Sequence, residues 1–233
     1  MATNEIFLKA AGIHKTYRIG KKGIQVLRGV DLEIPRGSWT SLLGASGSGK
    51  TTLLNILGTL ERPDSGDLSC DGIHYRAMSA RQASKFRNKR IGFIFQSYHM
   101  MPELTILENV MLAGRLNGSA ASGLRQHAES LLEKVGLRDR MKHRPTELSG
   151  GEQQRAAIAR SLVNSPDLIL ADEPTGNLDS KTGGGILEIF QALHRDQNAP
   201  TIVMITHNQA VAELGDRILH LVDGRLSDAP SLI

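Results

Sequence analysis

Alternating apolar and polar residues predict β-strands in the first third of the chain. The run Val30–Ile34 alternates apolar with acidic positions, and Pro35-Arg36-Gly37 follows it; this pattern is typical of a half-buried strand that ends in a turn. Asp71-Gly72 separates two further short β-prone stretches and is a strong type I′ hairpin signal. Asp223-Gly224 predicts a final hairpin in the same way. The first two patterns together predict a small antiparallel sheet on the N-terminal side.

Short apolar runs later in the chain predict buried parallel strands. Leu168–Asp172 and Thr201–Thr206 are mostly apolar, as strands covered on both faces usually are. Ser38–Leu43 is a third candidate, and an apolar helix predicted over Thr52–Leu57 follows it after a glycine-rich loop. This order of strand, loop and helix is the context that a phosphate-binding loop requires.

The middle of the chain, from about residue 80 to 163, has helical periodicity. Thr105–Leu116 and Ser122–Val135 each place apolar residues on one stripe, and Gly136 suits the end of the second helix. Gly183–Gly185 lies where a helix is expected after Asp179. Because each interior glycine costs about 1 kcal/mol relative to alanine, we expect the start of that helix to fray. The whole pattern predicts one α/β domain with an antiparallel edge and an inserted helical lobe.

The composition fits a single globular domain. The 233 residues are 40% hydrophobic and 22% charged, which are ordinary values for such a protein. No apolar run approaches the roughly 18 residues needed to cross a bilayer. The lone cysteine, Cys70, and a start at Met1–Lys9 without a signal-peptide pattern favour a cytoplasmic protein.

The net charge is +4, and basic residues cluster without interleaved aromatic residues or zinc-type spacing. We interpret the clusters as a solvated or ATP-attracting surface, with a membrane-facing or partner-facing surface as the alternative. No nucleic-acid partner is expected, because the recognisable sequence signals for one are missing. The clustered basic residues are Lys15, Arg18, Lys21, Lys22, Arg81, Lys85, Arg87, Lys89 and Arg90.

A complete G-x-x-x-x-G-K-T motif, Gly44–Thr51, follows the first of the short strands. Its backbone N–H groups and the N-terminus of the next helix would concentrate positive potential on phosphate oxygens. Lys50 is expected to reach the β- and γ-phosphates of ATP, and the Thr51 hydroxyl to bind Mg²⁺. The residues predicted to bind the nucleotide here are Gly44, Ala45, Ser46, Gly47, Ser48, Gly49, Lys50, Thr51 and Thr52.

Two acidic residues, Asp172 and Glu173, end the apolar run that begins at Leu168. They stand at the end of a predicted strand, where α/β sheets bind ligands. We predict that Asp172 holds Mg²⁺ and that Glu173 orients or deprotonates the attacking water. A helix start before Pro174 is the alternative explanation of this acidic pair, and the phosphate loop upstream leads us to favour the catalytic one.

A second glycine motif, Leu148-Ser-Gly-Gly-Glu-Gln-Gln-Arg155, lies well downstream of the first. Ser149 and Glu152 form a capping box for the helix predicted over 151–163. A capped helix that opens with glycines leaves N–H groups free to meet a phosphate. The capping and phosphate-binding interpretations therefore hold together.

The pairing of the two glycine motifs resembles the ABC (ATP-binding cassette) ATPases, over about residues 6–226. The resemblance implies a P-loop NTPase (RecA-like) core with an N-terminal antiparallel β-subdomain and an inserted α-helical subdomain. It implies a single nucleotide-binding domain over 1–233, with core and β-subdomain at about 1–90 and 166–233 and the helical subdomain at about 91–165. It further implies an ATPase that uses ATP and Mg²⁺ as a dimer, in which Ser149, Gly150 and Gly151 of one copy complete the ATP site of the second copy.

The resemblance also assigns roles to four single residues. Gln96 matches the family's glutamine loop, which touches Mg²⁺ and the attacking water, and His207 matches the switch histidine at the γ-phosphate. Asp179 matches a loop that crosses the dimer interface. Tyr17 matches the aromatic that stacks on adenine, with a tyrosine packed on the small sheet as the alternative. The predicted catalytic residues are thus Glu173, His207, Gln96 and Lys50, and the predicted Mg²⁺ ligands are Thr51, Gln96 and Asp172.

Two longer segments, Phe93–Val110 and Ala171–Gly183, are similar to the lipoprotein-releasing and macrolide-export ATPases and to the related cell-division ATPase. This similarity implies an integral-membrane permease as partner and a peripheral position on the cytoplasmic face of the inner membrane. A cell-division-type ATPase that regulates a membrane partner without transport and a soluble non-transport ABC ATPase are the alternatives. Met and Leu residues within Ser97–Asn109 suggest a permease-docking groove, with ordinary core packing as the alternative.

Overall fold

The computed structural model describes residues 5–20, 22–118 and 121–227, and these ranges contain ten strands and seven α-helices. The strands are β1 (Ile6–Ile19), β2 (Lys22–Pro35), β3 (Trp39–Leu43), β4 (Ser65–Cys70), β5 (Ile73–His74), β6 (Ile91–Ile94), β7 (Leu168–Asp172), β8 (Thr201–Thr206), β9 (Arg217–Val222) and β10 (Arg225–Ser227). The helices are α1 (Lys50–Leu57), α2 (Ala80–Arg90), α3 (Ile106–Leu116), α4 (Ala121–Lys134), α5 (Gly150–Leu162), α6 (Ser180–His194) and α7 (Gln209–Ala212).

The strands form two sheets. A four-stranded antiparallel sheet has the order β2-β1-β4-β5, and a six-stranded sheet has the order β10-β9-β3-β8-β7-β6. In the larger sheet β9, β3, β8, β7 and β6 run parallel, and β10 joins antiparallel to β9. The predicted fold, an antiparallel β-subdomain beside an α/β core, is confirmed.

Three strands at the centre of the larger sheet end at the same level. Leu43 at the end of β3 pairs with Thr206 at the end of β8, and Asp172 at the end of β7 pairs with Ile205. Nearly all residues of these strands are buried, because elements pack on both faces of a parallel sheet. The three loops that follow β3, β7 and β8 therefore begin side by side at one edge of the sheet.

Three clusters of buried apolar side chains hold the elements together. The first joins the antiparallel sheet to α1 and one face of the larger sheet, and the third covers the other face of the larger sheet with α6. The second cluster lies within α3, α4 and α5 and forms the core of a helical lobe. Because full burial of a Leu or Phe side chain contributes about 1.5–3 kcal/mol, each cluster is large enough to anchor the elements around it.

The local turn and helix signals of the sequence correspond to structure. Asp71-Gly72 has φ values of 52° and 72°, and Asp223-Gly224 has 48° and 75°, as a type I′ turn requires. Helices α3, α4 and α5 lie close to their predicted bounds. Among the described residues, no helix is both long and apolar enough to span a bilayer.

Two expectations are corrected. Strand β6, Ile91–Ile94, pairs with β7 in the core sheet, so the predicted start of the helical segment at residue 91 is too early. The predicted fraying at Gly183–Gly185 is also wrong, because α6 is continuous from Ser180. Its first turn is capped by Asp179, whose carboxylate accepts two backbone N–H groups at 3.1 Å and whose carbonyl accepts the N–H of Gly183 at 2.8 Å. The cap offsets part of the cost of the glycines.

The end of α1 packs against β6 so closely that only glycine fits. A Cβ at Gly58 would overlap the ring of Phe93 and lie 2.9 Å from Leu170 Cδ1. The Gly58→Ala variant should therefore lose stability, because overpacking costs about 1–3 kcal/mol. Gly184→Ala is the matched control: its Cβ meets no atom within 4 Å, and alanine favours a helix by about 1 kcal/mol. Urea unfolding followed by circular dichroism measures both, and equal stabilities would contradict the packing.

Candidate nucleotide-binding site

The phosphate loop, Gly44–Thr51, turns from β3 into α1. Gly49 precedes α1 with a φ of 105°, a left-handed conformation that favours glycine. A Cβ on Gly44 would press on the carbonyl oxygen of Leu221 and lie 2.8 Å from Ser48 Oγ. Within the described part of the chain, no side chain caps the N-terminus of α1. The first N–H groups of this helix are therefore available to an anion.

Lys50, the first residue of α1, is buried against the loop. Its ammonium group donates hydrogen bonds to the carbonyl oxygens of Gly44 and Ala45, both at 2.8 Å. Ala45, Ser46 and Gly47 are exposed. The loop thus surrounds a cation with solvent-facing backbone, an arrangement suited to phosphate.

Thr51 and Asp172 bring two oxygen donors together beside the phosphate loop. Thr51 Oγ1 donates to Asp172 Oδ2 at 3.0 Å. Burial raises the pKa of the Asp172 carboxyl, and the neighbouring negative charge of Glu173 raises it further. The positive charge of Lys50 offsets only part of this rise, and oxygen donors are the ligands that Mg²⁺ prefers. In residues 5–20, 22–118 and 121–227 no three His, Cys, Asp or Glu side chains cluster as a metal cage, so the predicted ligand Gln96 and oxygens of phosphate and water would have to complete the coordination.

Glu173 stands at the end of β7 in an unusual backbone conformation. Its φ is 44°, and its N–H donates to the carbonyl oxygen of Ile205 at 3.0 Å. Its carboxylate oxygen Oε2 lies 2.9 Å from Nδ1 of His207, which follows β8. Left-handed non-glycine residues cost of order 1–3 kcal/mol and cluster at functional sites. The structure thus brings together the two residues predicted to act on the attacking water and the γ-phosphate.

Gln96 reaches the same edge from the end of β6. Its side-chain amide donates to Asn177 Oδ1 at 3.0 Å, and the Asn177 amide donates back to the Gln96 carbonyl oxygen at 3.2 Å. A Cβ on Gly176 would lie 2.8 Å from Gln96 Nε2 and 3.1 Å from Glu173 Oε2, so the amide and the carboxylate flank one glycine. Asn177 has no motif of its own that identifies it as a site residue. Its only sequence signal is its position between Glu173 and Asp179.

The second glycine motif begins α5, on the helical lobe. Ser149 caps the helix: its hydroxyl oxygen accepts the Glu152 N–H at 3.3 Å, and its own N–H and hydroxyl donate to Glu152 Oε2 at 2.9 and 2.8 Å. The Ser149 backbone and the Arg140 guanidinium lower the pKa of Glu152 to about 2. Gly151 is buried, and a Cβ there would overlap Thr182 of α6. The motif adjoins the helical-lobe cluster, whereas the phosphate loop adjoins the first cluster, so the two motifs belong to different cores.

Tyr17 lies near the end of β1 with about a third of its surface exposed. Its hydroxyl donates to Glu61 Oε2 at 2.5 Å, and the Lys15 ammonium lies 5.5 Å from its ring centroid. Burial and Glu61 raise the Tyr17 pKa. Both roles proposed for this tyrosine, adenine stacking and strand packing, are compatible with an edge-exposed ring. Adenine stacking stays a prediction, as does the dimer-interface role of Asp179.

Comparison with known proteins places this geometry in a family. A sequence profile of the ABC transporter family matches residues 27–176, which include the phosphate loop, Gln96, the second glycine motif and Glu173. The chain belongs to the ABC transporter family. This confirms the predicted family and the prediction of an ATP-hydrolysing enzyme.

Two similar proteins align with nearly the whole chain. The lipoprotein-releasing system ATP-binding protein LolD 2 of Rhodopirellula baltica is 46% identical and aligns over 97% of this chain and 91% of its own length. An uncharacterized ABC transporter ATP-binding protein of Thermotoga maritima is 47% identical over 94% of this chain and 93% of its own.

Two solved structures of the ATP-binding cassette MJ0796 share the fold. A dimeric form matches with a TM-score of 0.88 and 41% identity, covering 94% of this chain and 96% of that one. A dimeric post-hydrolysis state bound to ADP and phosphate matches with a TM-score of 0.88 and 40% identity, covering 97% of this chain and all of that one. The predicted ABC fold is confirmed.

The cap of α5 gives a pH-dependent contribution to stability. Because the folded-state pKa of Glu152 is lowered to about 2 from 4.5, its ionised form stabilises the fold above pH 4.5, and this contribution is lost as the pH falls toward 2. Glu152→Gln should therefore cost about 0.5–1 kcal/mol at pH 7, and the difference from wild type should shrink on acidification. Urea unfolding between pH 7 and 3 measures this, with Glu188→Gln at an exposed position of α6 as control. A difference that stays constant with pH would contradict the charge argument.

Proposed function

We propose that this chain is the ATP-hydrolysing subunit of an ABC transporter of the lipoprotein-releasing or macrolide-export type. The observation that carries the proposal is the meeting of Lys50, Thr51, Asp172, Glu173 and His207 at one edge of the central sheet. The relatives named LolD support the transporter type, since they match this chain over nearly its full length.

In the proposed reaction the phosphate loop binds ATP. The N–H groups at the start of α1 and the Lys50 ammonium contact the β- and γ-phosphates, with Lys50 exchanging its carbonyl partners for phosphate oxygens. Tyr17 stacks on the adenine. Mg²⁺ would be held by Thr51 and Asp172, with Gln96 as a further ligand, and would neutralise charge on the phosphate oxygens.

Glu173 then acts on the attacking water. Its carboxylate accepts a proton from the water while the oxygen attacks the γ-phosphorus and the bond to the β-phosphate oxygen breaks, giving ADP and phosphate. His207 orients this carboxylate through its Nδ1 contact at 2.9 Å and contacts the γ-phosphate. Glu173 has a left-handed backbone, and its carboxylate flanks Gly176 together with the Gln96 amide.

The proposed active form is a dimer. Ser149, Gly150 and Gly151 open a helix whose first N–H groups suit a phosphate, yet they adjoin a different core from that of the phosphate loop. We propose that they contact the γ-phosphate bound by a second copy, with Asp179 across the interface. The dimeric cassette structures similar to this chain support that arrangement.

We propose a peripheral position on the cytoplasmic face of the inner membrane, bound to permease subunits. The segment after Gln96 supports a docking role in part. Met101 is half exposed, as a docking residue should be, whereas Met100 is partly buried and packs against the helical-lobe cluster. Both interpretations of this segment therefore apply, to different residues.

The proposed base is tested by Glu173→Gln. This change keeps the size of the side chain but removes the proton acceptor, so Mg²⁺-dependent ATP hydrolysis should fall roughly 10²- to 10⁴-fold while ATP binding persists. Phosphate release and fluorescent-nucleotide binding are measured on one preparation, with Glu188→Gln as the control. Hydrolysis within a factor of two of wild type would contradict the assignment of Glu173 as the base.

The proposed dimer is tested by mixing two inactive chains. Lys50→Ala removes the phosphate contact, and Ser149→Arg blocks the second glycine motif, so each variant alone should be inactive. A mixed dimer keeps one intact composite site, and an equal mixture should recover about a quarter of wild-type hydrolysis if the two sites act independently. Full activity of Ser149→Arg alone would refute the role across the interface, as would a mixture that recovers nothing despite forming dimers.

A further inference from the structure

The loop that follows α1 binds both that helix and the strand that carries Tyr17. The N–H of Glu61 donates to the carbonyl oxygen of Asn55 in α1 at 3.2 Å, so the loop folds back on the helix. Three residues later, the carboxylate of Asp64 accepts the N–H of Thr16 in β1 at 2.7 Å. The end of β1 is therefore held against α1, the helix that begins at the phosphate loop.

The Glu61 carboxylate lies between the side chains of Tyr17 and Lys15. One oxygen, Oε2, accepts the Tyr17 hydroxyl at 2.5 Å, and the other, Oε1, lies 2.8 Å from the Lys15 ammonium. The Lys15 side chain is only 13% exposed, so salt and solvent screen this ion pair less than a surface pair. Lys15 also donates to the carbonyl oxygen of Arg62 at 2.7 Å. Because hydrogen bonds to an ionised group are short and strong, Glu61 holds the Tyr17 hydroxyl in one place.

The Tyr17 hydroxyl also contacts the helix of the phosphate loop. Burial and the bond to Glu61 raise the pKa of Tyr17, whereas a hydrogen bond with the Thr52 side chain lowers it. Thr52 follows the proposed Mg²⁺ ligand Thr51 in α1. Tyr17 nevertheless stays 37% exposed. The tyrosine is thus fixed at its hydroxyl, while part of its surface remains open to a ligand.

We infer that Glu61, supported by Lys15, is a positioning residue that orients the Tyr17 ring for stacking on the base of ATP. The inference rests on the proposed function, in which Tyr17 stacks on adenine, and deepens it by naming the residues that orient the ring. A freely rotating tyrosine would lose side-chain freedom when the nucleotide binds, and this loss would weaken binding. A tyrosine held by Glu61 has already lost that freedom in the folded protein.

The position of Glu61 separates its effect on binding from any effect on the chemical step. Its hydrogen bonds and ion pair go to Asn55, Tyr17 and Lys15. Within the described part of the chain, it has no such contact with Glu173 or His207, which bind each other after β7 and β8. Loss of the Glu61 carboxylate should therefore weaken nucleotide binding and leave the turnover of the saturated enzyme unchanged.

Kinetics of Glu61→Ala test this separation. Stacking of one base on an aromatic ring contributes about 5- to 150-fold to affinity, and a misoriented ring should lose part of this. The KM for ATP should therefore rise about three- to tenfold, with kcat within a factor of two of wild type. Glu61→Gln keeps an oxygen that accepts the Tyr17 hydroxyl but loses the charge, so its KM should fall between the two. Glu33→Ala, which breaks an exposed ion pair with Lys9 in the same sheet, is the control and should change neither constant.

A double-mutant cycle distinguishes positioning from a general structural role. In a Tyr17→Ala background, Glu61→Ala should have no further effect on ADP affinity, because the ring that it orients is gone. Inorganic tripolyphosphate carries the phosphate chain without a base, so its affinity should be the same in wild type and Glu61→Ala. Competition with a fluorescent nucleotide measures both affinities without hydrolysis. A wild-type chain that binds ADP but does not hydrolyse ATP would refute the proposed function and leave this test intact.

Three results would overturn the inference. The first is a wild-type KM for ATP in Glu61→Ala. The second is an equal loss of ADP affinity from Glu61→Ala with and without Tyr17, and the third is an equal loss of affinity for ADP and tripolyphosphate. If Glu61→Ala fails to fold, Glu61→Gln takes its place in the cycle. An unchanged ADP affinity in Tyr17→Ala would refute the stacking role itself, and the inference with it.

Discussion

The candidate site depends on the register of three parallel strands, β3, β8 and β7. Their hydrogen-bonded pairing brings the carboxyl ends of all three strands to the same level. Leu43, Thr206 and Asp172 occupy the ends of the paired strands, so the phosphate loop, His207 and Glu173 follow within one residue of the same edge. Buried strands cannot slip by one residue without turning core side chains out of the core. The free energy of burying Ile, Leu and Val along these strands thus also maintains the distances between catalytic groups.

The same edge concentrates interactions that are unfavourable without a ligand. Glu173 has a left-handed backbone, Asp172 has a raised carboxyl pKa beside it, and Lys50 bonds to loop carbonyls rather than to an anion. Each feature costs free energy that packing elsewhere must offset. Phosphate oxygens would give the Lys50 ammonium an anionic partner. A divalent cation would stabilise the ionised form of the Asp172 carboxyl.

The parts of the structure that the sequence predicts correctly are those with local causes. Asp-Gly turns, the capping box at Ser149 and the loop from β3 into α1 each depend on residues a few positions apart, so they can be inferred from short motifs. Strand β6 was harder, because four residues between two helical stretches carry too little pattern to show that they join the core sheet. The continuity of α6 through its three glycines depends on the Asp179 cap and on tertiary packing, which outweigh propensity.

Contacts between residues far apart in sequence could not be predicted from motifs. The pairs Gln96–Asn177 and Arg160–Tyr98 join positions 81 and 62 residues apart, and no local signal specifies either. The first of these contacts lies at the candidate site, since Asn177 follows Gly176, which the Gln96 amide and the Glu173 carboxylate flank. A ligand shifts such an arrangement only by the difference in its affinity for the alternatives. If nucleotide binding changes the Gln96–Asn177 contact, a partner that favours one arrangement must change nucleotide affinity by the same factor by which the nucleotide changes the affinity of that partner.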